Sequence, residues 1–356
     1  MRQKEDVMNT TSNENINVGF VGAGTNTRVK HLPGFQDLDN VTLYGVANRS
    51  RSSSSAVAGE YGIQNVFDDW QALIQSPEID AICVGTWPYM HGTVTIAALE
   101  AGKHVLTEAR MAEDVSDARA MLTASREHPE LVTQVVPSPF TLKVDQTIIE
   151  LINEGYLGNI TAIEVRVAQN TFPDFEGPLL WRHNRDFSGY NIMTMGIWYE
   201  ALLRWVGPAT KVSAMTKVVV NQRLSDNGNL TAVSIPDHVD VICEMACGAQ
   251  AHLGFSSITG LGAASEAWLF GTEGTLRLDG QSLTLSGGQR GDSELKEIPI
   301  EPAKQSEWRV EEEFVEAIRG IAPVTHTPFI EAIKYMEWTE AVTRSAQTGQ
   351  VINLPL

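Results

Sequence analysis

Short apolar runs at residues 16–21, 41–47, 79–84, 105–107 and 131–136 read as strands buried on both faces. Between them, 93–101 and 116–126 carry helical spacing. Strands alternating with helices at this interval predict βαβ units and a doubly wound parallel sheet over residues 16–137. Beyond Pro137 and Pro139 the pattern changes. A helical period at 144–154 is closed by Gly155, and apolar positions then recur every second residue. Ile163, Val165 and Val167 alternate with Glu164 and Arg166; Val239, Val241, Cys243 and Met245 repeat the pattern, as do Ala251, Leu253 and Phe255. Such alternation, broken by turns at Cys247-Gly248 and at 271–274, predicts an open, mostly antiparallel sheet with one covered face. Helical periods at 310–319 and 329–346 close the chain. The fold class is thus α/β, with an α+β second domain over 138–356 whose last helix is expected to pack back on the first domain. Residues 1–15 have no apolar period and read as a mobile tail.

Composition narrows the partners. The length of 356 residues fits two domains, and 43% apolar with 20% charged residues is ordinary for a globular chain. The 44 acidic against 26 basic residues give a net charge of −18, which argues against nucleic acid and anionic membrane surfaces. Three cysteines are too few for a disulfide scaffold, and Cys243 and Cys247, four apart without clustered histidines, predict no metal site. No apolar run approaches the ~20 residues of a membrane span. The polar start lacks the apolar middle of a signal peptide, so a cytoplasmic location is expected. A chain this acidic binds an anionic cofactor only where its positive groups are concentrated.

One such place follows the first strand. Residues 17–21 run into Gly22-Ala23-Gly24-Thr25-Asn26-Thr27 and then a helical segment. Two glycines at a strand-to-helix turn let the backbone approach a pyrophosphate, which the helix N-terminus favours, so the first domain reads as a Rossmann dinucleotide-binding unit. Thr27 stands where the fingerprint has its third glycine. The second strand ends Ala47-Asn48-Arg49-Ser50-Arg51. An acid there would select NAD through the ribose hydroxyls, whereas neutral Asn48 beside Arg49 and Arg51 suits a 2′-phosphate. The expectation is NADP or NAD, with NADP preferred; the alternative is two solvated arginines with NAD bound through Asn48.

The segments Thr86-Trp87-Pro88-Tyr89-Met90-His91 and Gly102-Lys103-His104-Val105-Leu106-Thr107-Glu108, with Trp181-Arg182, Gly196 and the turn 270–275, resemble the glucose–fructose oxidoreductase / inositol dehydrogenase / rhizopine catabolism (Gfo/Idh/MocA) family. The resemblance spans nearly the whole chain from residue 16. It implies hydride transfer to or from a sugar, polyol or related carbohydrate, with the nicotinamide at the domain junction. It also implies that Gly22, Gly24, Thr86, Pro88, His91 and Glu108 line the cofactor site, with Trp87 beside them, and that two or four copies assemble through the second-domain sheet. For His91 the alternative is a helix-start residue that caps backbone groups.

The departures concern proton transfer. The family usually reads Glu-Lys-Pro after the fifth strand, the lysine handling the proton; this chain reads Glu108-Ala109-Arg110, and alanine cannot titrate. The family's helical Asp and His, four residues apart, correspond to Thr194 and Trp198, and a further Asp to Ala201. Glu200 faces away from Thr194 and Trp198 and is expected to form a solvated or interdomain ion pair with Arg204. Arg110 is a poor acid but a good clamp for a substrate carboxylate or sulfate. The loop before that helix offers His183 and Tyr190 as candidate proton carriers, with loop or binding roles as the alternative. Trp181, Arg182, Asn191, Thr194 and Trp198 are the candidate substrate contacts, and core packing is the alternative for each tryptophan. Glu311-Glu312-Glu313 reads as a solvated helix face, and Met193 and Met195 as packing residues.

The leading expectation is an NAD(P)-dependent carbohydrate oxidoreductase with an atypical proton relay. Two alternatives stay open: a nicotinamide-dependent glycosidase or lyase that oxidises its substrate transiently without net cofactor turnover, and a catalytically inactive dinucleotide-binding sensor.

Overall fold

The computed structural model describes residues 14–262 and 265–356; the tail expected at 1–15 lies almost wholly outside them. The chain divides into two compact units, one running to Pro137 and taking in Arg309–Ile333, the other comprising Ser138–Trp308 and Lys334–Leu356. The division falls inside the last helix, Phe329–Thr348.

In the first unit six strands, β1 (Ile16–Val21), β2 (Val41–Ala47), β3 (Asn65–Val66), β4 (Ala81–Val84), β5 (His104–Thr107) and β6 (Thr133–Val135), form one sheet in the order β3-β2-β1-β4-β5-β6. Every pairing is parallel. All four residues of β4 are buried, as its unbroken apolar run requires. Strand order reverses between β1 and β4, and in such sheets ligands bind outside the carboxyl ends of the strands at that point. Three helices begin on side-chain caps: Ser50 accepts from the Ser53 amide, Asp69 from Ala72 and Asp114 from Asp117.

The second unit holds β7 (Ile160–Ala168), β8 (Ala209–Lys217), the small hairpin β9 (Gln222–Leu224) and β10 (Leu230–Ala232), then β11 (His238–Met245), β12 (Gln250–Ser256), β13 (Glu266–Gly271), β14 (Gly274–Asp279), β15 (Thr284–Gln289), β16 (Lys296–Ile298) and β17 (Ile352–Asn353). Nine of these form a sheet ordered β16-β15-β14-β13-β7-β12-β11-β8-β17. It is antiparallel except at β12–β7. The predicted alternation holds: Ile163, Val165, Val239, Val241, Cys243, Leu253 and Phe255 are buried, while Glu164, Arg166 and Ile242 on the other face are exposed. Trp338 of the last helix covers the apolar face, stacked on Tyr199 at 4.2 Å and edge-on to Phe255. Its indole N–H donates to Cys243 Sγ at 3.3 Å.

Two acidic expectations are corrected. Glu200 does pair with Arg204, at 2.9 Å, but it is buried rather than solvated. Its carboxylate also accepts the Ser138 amide, and Asp145 holds the other side of Arg204 while accepting from the Trp205 indole at 2.6 Å. In the glutamate triplet at 311–313 only Glu312 lies at the surface, paired with Arg309; the other two are not solvated. Glu311 is buried against His31, and Glu313 accepts from Gln134 and the Thr325 amide. Fixed donors inside the unit replace the water each carboxylate gives up.

Candidate cofactor and substrate sites

The carboxyl ends of β1, β2 and β4 enclose a cleft of about 580 Å³. Its floor is the glycine loop. Gly22 has φ +80°, and a Cβ there would sit 2.8 Å from Thr86 Cγ2 and 2.9 Å from the Thr86 amide. Gly85 is as tightly placed, since a Cβ would meet the Gly22 carbonyl at 2.2 Å. Thr27, in the third-glycine position, is buried with its hydroxyl 3.4 Å from that carbonyl, so it packs beneath the loop. Bare backbone therefore faces the cleft, at the head of a helical segment whose first amides have no intrahelical acceptor.

Of the expected cofactor residues, Gly22, Gly24, Asn48, Arg49, Ser50, Thr86 and Trp87 line the cleft. Asn48 does more than await a ribose: its Oδ1 accepts the Ala23 amide at 2.7 Å and its Nδ2 donates to Ser53, tying the loop to helix Arg51–Tyr61. The Arg49 guanidinium lies 6.0 Å from the centre of the Trp87 ring. Arg51 does not line the cleft itself but pairs at the exposed edge with Asp68, which does. Sequence reasoning missed Ser53, Asp68, Asp69 and Trp70 in the lining; all follow strand ends, the one signal that could have marked them. The Thr86 hydroxyl is buried without a hydrogen-bond partner among the described residues. The backbone cradle, a cleft of nucleotide size and this orphaned hydroxyl fit a dinucleotide.

Thr25, Asn26, Thr27, Pro88, His91 and Glu108 do not line this cleft. His91 is fully buried, with Nδ1 2.9 Å from the Arg110 carbonyl and Nε2 3.1 Å from that of Thr86. Burial pushes its pKa down although both carbonyls favour the charged ring. The neutral ring, with one N–H, donates to one of the two carbonyls while packed between the Thr86 turn and the Ala109–Arg110 segment. Glu108 accepts from Asn26 at 2.5 Å and from His31 Nε2 at 3.0 Å, while His31 Nδ1 meets Glu311 at 2.5 Å. Burial opposes charge on His31, but hydrogen bonds and attraction from both carboxylates outweigh it and raise the pKa to about 9. Burial likewise opposes ionisation of Glu108, and the His31 and Asn26 hydrogen bonds reverse that, leaving its pKa below the usual carboxylate value. This ion triad was absent from the sequence expectations. The Arg110 side chain is buried.

The other substrate candidates sit in the second unit. Leu179 donates to the Leu224 carbonyl, which moors the loop to β9. Within the loop Arg182 stacks over Trp181 at 4.2 Å, and Arg185 lies over Tyr190 at 5.5 Å. His183 Nδ1 accepts the Leu180 amide at 3.1 Å. Burial, then the charges of Arg223 and Arg182, lower its pKa. A neutral ring whose Nδ1 accepts must carry its proton on Nε2, where it can donate a hydrogen bond but cannot take up a proton. Two expected substrate contacts are structural instead. Asn191 is buried and donates to the Ser188 carbonyl at 2.8 Å, closing the turn. Trp198 is buried against Phe140, with ring centres 5.7 Å apart, because its helix turns that face inward. Thr194 is half-buried at the start of helix Met195–Val206.

Comparison with known proteins decides the family. Residues 16–135 match the oxidoreductase family with an NAD-binding Rossmann fold, Gfo/Idh/MocA, and residues 146–277 match the C-terminal domain of the same family. The chain belongs to the Gfo/Idh/MocA family of NAD(P)-dependent oxidoreductases. It is 23% identical over 279 residues to the uncharacterized oxidoreductase sll0816 of Synechocystis sp., spanning 77% of this chain and 74% of that protein. It is 26% identical over 183 residues to levoglucosan dehydrogenase of Pseudarthrobacter phenanthrenivorans, spanning 49% of this chain and 47% of that one. A solved levoglucosan dehydrogenase structure in its apo form superposes with a TM-score of 0.85 over 96% of this chain and 99% of that chain, at 20% identity, which establishes the shared fold.

Proposed function

We propose that this family member is an NADP-preferring oxidoreductase of a sugar or polyol in which a residue other than a lysine at position 109 handles the proton. The cleft at the β1–β4 switch point carries the cofactor part of this reading. The relatives that include levoglucosan dehydrogenase and, in Ensifer adhaerens, 1,5-anhydro-D-fructose reductase support the carbohydrate part. Gly22, Gly24 and the amides after them would hold the pyrophosphate, with Thr86 and Trp87 along the cofactor and Arg49 beside the 2′-phosphate. The bound nicotinamide supplies hydride transfer. The chain's own residues must orient the substrate and manage one hydroxyl proton. Tyr190 is the proposed proton carrier. His183, whose Nδ1 is occupied, would donate from Nε2 and hold the substrate oxygen in place.

The cofactor preference is tested by titrating NADP and NAD into wild type and Arg49→Ala. NADP affinity should fall about tenfold in the variant, with NAD nearly unchanged. Equal NADP binding by both proteins would remove Arg49 from the site. For the relay, Tyr190→Phe should lower turnover by about 100-fold or more. His183→Ala should raise KM more than it lowers kcat.

A second reading is a nicotinamide-dependent glycosidase or lyase, in which the substrate hydroxyl gives up a hydride and a proton transiently and regains both, so that no cofactor is consumed. With alanine at position 109 another residue must carry that proton here too. Cleavage of a glycoside with no change in reduced-nicotinamide absorbance would establish it over the first. The proposed assembly is a homodimer or homotetramer through the open sheet face, where Met215 and Ile242 are exposed. Sedimentation equilibrium of wild type and Ile242→Glu tests it, monomeric wild type being the contrary result. The proposed location is the cytoplasm, which suits the three free thiols.

A further inference from the structure

In a chain carrying a net charge of −18, a half-buried arginine is expected to have a carboxylate beside it, and Arg204 and Arg277 each do. Among the described residues, Arg185 and Arg223 have no carboxylate within ion-pair distance. Arg185 donates to the Ser234 hydroxyl and carbonyl at 3.4 Å and to the Gly189 carbonyl at 3.2 Å. Arg223 donates from one terminal nitrogen to the Gly177 carbonyl at 3.1 Å, and its Nε is buried with no hydrogen-bond partner among the described residues. Both side chains are partly covered by protein. The neighbouring acids are turned to other work. Asp237 accepts the Val219 and Val220 amides, and Asp174 accepts those of Glu176 and Gly177. Covering a charge costs several kcal/mol unless a counter-charge or ligand compensates. Here the direct partners are neutral oxygens, and the Asp174 carboxylate stands near Arg223 but beyond ion-pair distance.

The two arginines belong to one loop cluster. Residues 178–190 run beside β9, which carries Arg223, and Ser234, the partner of Arg185, follows β10. His183 lies close enough to Arg223 and Arg182 for both to act on its charge. We propose that the sugar bound by this loop cluster carries a carboxylate, as in a hexuronate, which the Arg223 and Arg185 guanidiniums hold by their N–H forks. A planar carboxylate matches that fork, and a charge-assisted pair is about twice as strong as a neutral hydrogen bond. The donor Nε2 of His183 adds a contact to an adjacent hydroxyl. The assignment rests on the sugar-oxidoreductase reading and names the charge class of its substrate.

The test uses the full chain loaded with NADP, with binding of D-glucuronate, D-galacturonate, D-glucose and D-galactose measured by calorimetry. At least one acid should bind tenfold or more tightly than its neutral parent. Arg223→Gln and Arg185→Gln should each bring that ratio down towards one. Arg223→Lys, which keeps charge but loses the fork, should fall between wild type and Arg223→Gln. Neutral sugars binding as well as the acids, or a preference that survives both glutamine substitutions, overturns the proposal without touching the oxidoreductase reading. Failure of both NADP and NAD to bind, read in the preceding titration, overturns the oxidoreductase reading and the proposal with it.

Discussion

Two groups of cations in this protein are treated in opposite ways. In the first unit His31 is fully buried and has a carboxylate on each ring nitrogen, Glu108 at 3.0 Å and Glu311 at 2.5 Å. In the second unit Arg185 and Arg223 are only partly buried and have neutral oxygens for partners. A cation answered twice over by its own chain is part of the scaffold. A cation left to neutral groups is placed for something that arrives later. The same physical cost, desolvation of charge, thus separates a structural ion cluster from a ligand-seeking one.

The largest expected effect lies at the structural cluster. His31→Ala leaves Glu108 and Glu311 buried without their cation, and breaking a buried pair in this way costs about 3–5 kcal/mol. Urea unfolding of the two proteins measures it; a loss below about 1 kcal/mol would show that the triad is not structural. The pH profile gives a second reading. The folded His31 pKa is raised from 6.5 to about 9. Its stabilisation is therefore complete below about pH 6.5 and disappears as pH rises through about 9. Glu108, held below its usual value, contributes in the opposite direction, with stability that is lost on acidification. Wild type should lose stability between pH 7 and 9, and His31→Ala should lose the His31 share of that slope.

A middle-sized effect belongs to the cofactor cradle. Gly22→Ala places a Cβ 2.8 Å from Thr86 at a φ of +80°. The left-handed backbone alone costs about 1–3 kcal/mol for a non-glycine residue. Stability should fall within that range and NADP affinity by more than tenfold, because the β1–β4 turn must open. Unaltered affinity would mean that the loop has slack the close approach does not suggest.

How legible these regions were in the sequence follows from how local their causes are. The strands of the first sheet were read almost to the residue at Ile16–Val21 and Val41–Ala47, since burial on both faces leaves an unbroken apolar run. The second sheet was read from alternation at Val239, Val241 and Cys243, since its covered face repeats every second residue. The glycine loop and the alanine at position 109 were visible for the same reason. Glu311 was not, because its partner His31 is 280 residues away and a run of three glutamates looks solvated. Trp198 was ambiguous because an aromatic on a helix packs inward as readily as it lines a site. Arg223 gave no signal, since a lone arginine on a short strand shows that its direct partners are carbonyls rather than carboxylates only once the fold has placed the described acids.

The smallest expected effect is the most discriminating. If Arg185 and Arg223 are placed for a ligand, the unliganded fold gains little from their charges, and Arg185→Gln or Arg223→Gln should change unfolding free energy by no more than about 0.5 kcal/mol. Glutamine keeps a donor for the Gly177 or Gly189 carbonyl, so the comparison removes charge and leaves most of the hydrogen bonding. A loss of 2 kcal/mol or more would make these arginines scaffold like His31, and the contrast between the two regions would fail. A negligible change in the free protein, paired with a loss of the extra stability that D-glucuronate confers on wild type, would fix the difference. Binding stabilises the folded state by an amount set by ligand concentration over Kd, so the same unfolding experiment reads both quantities.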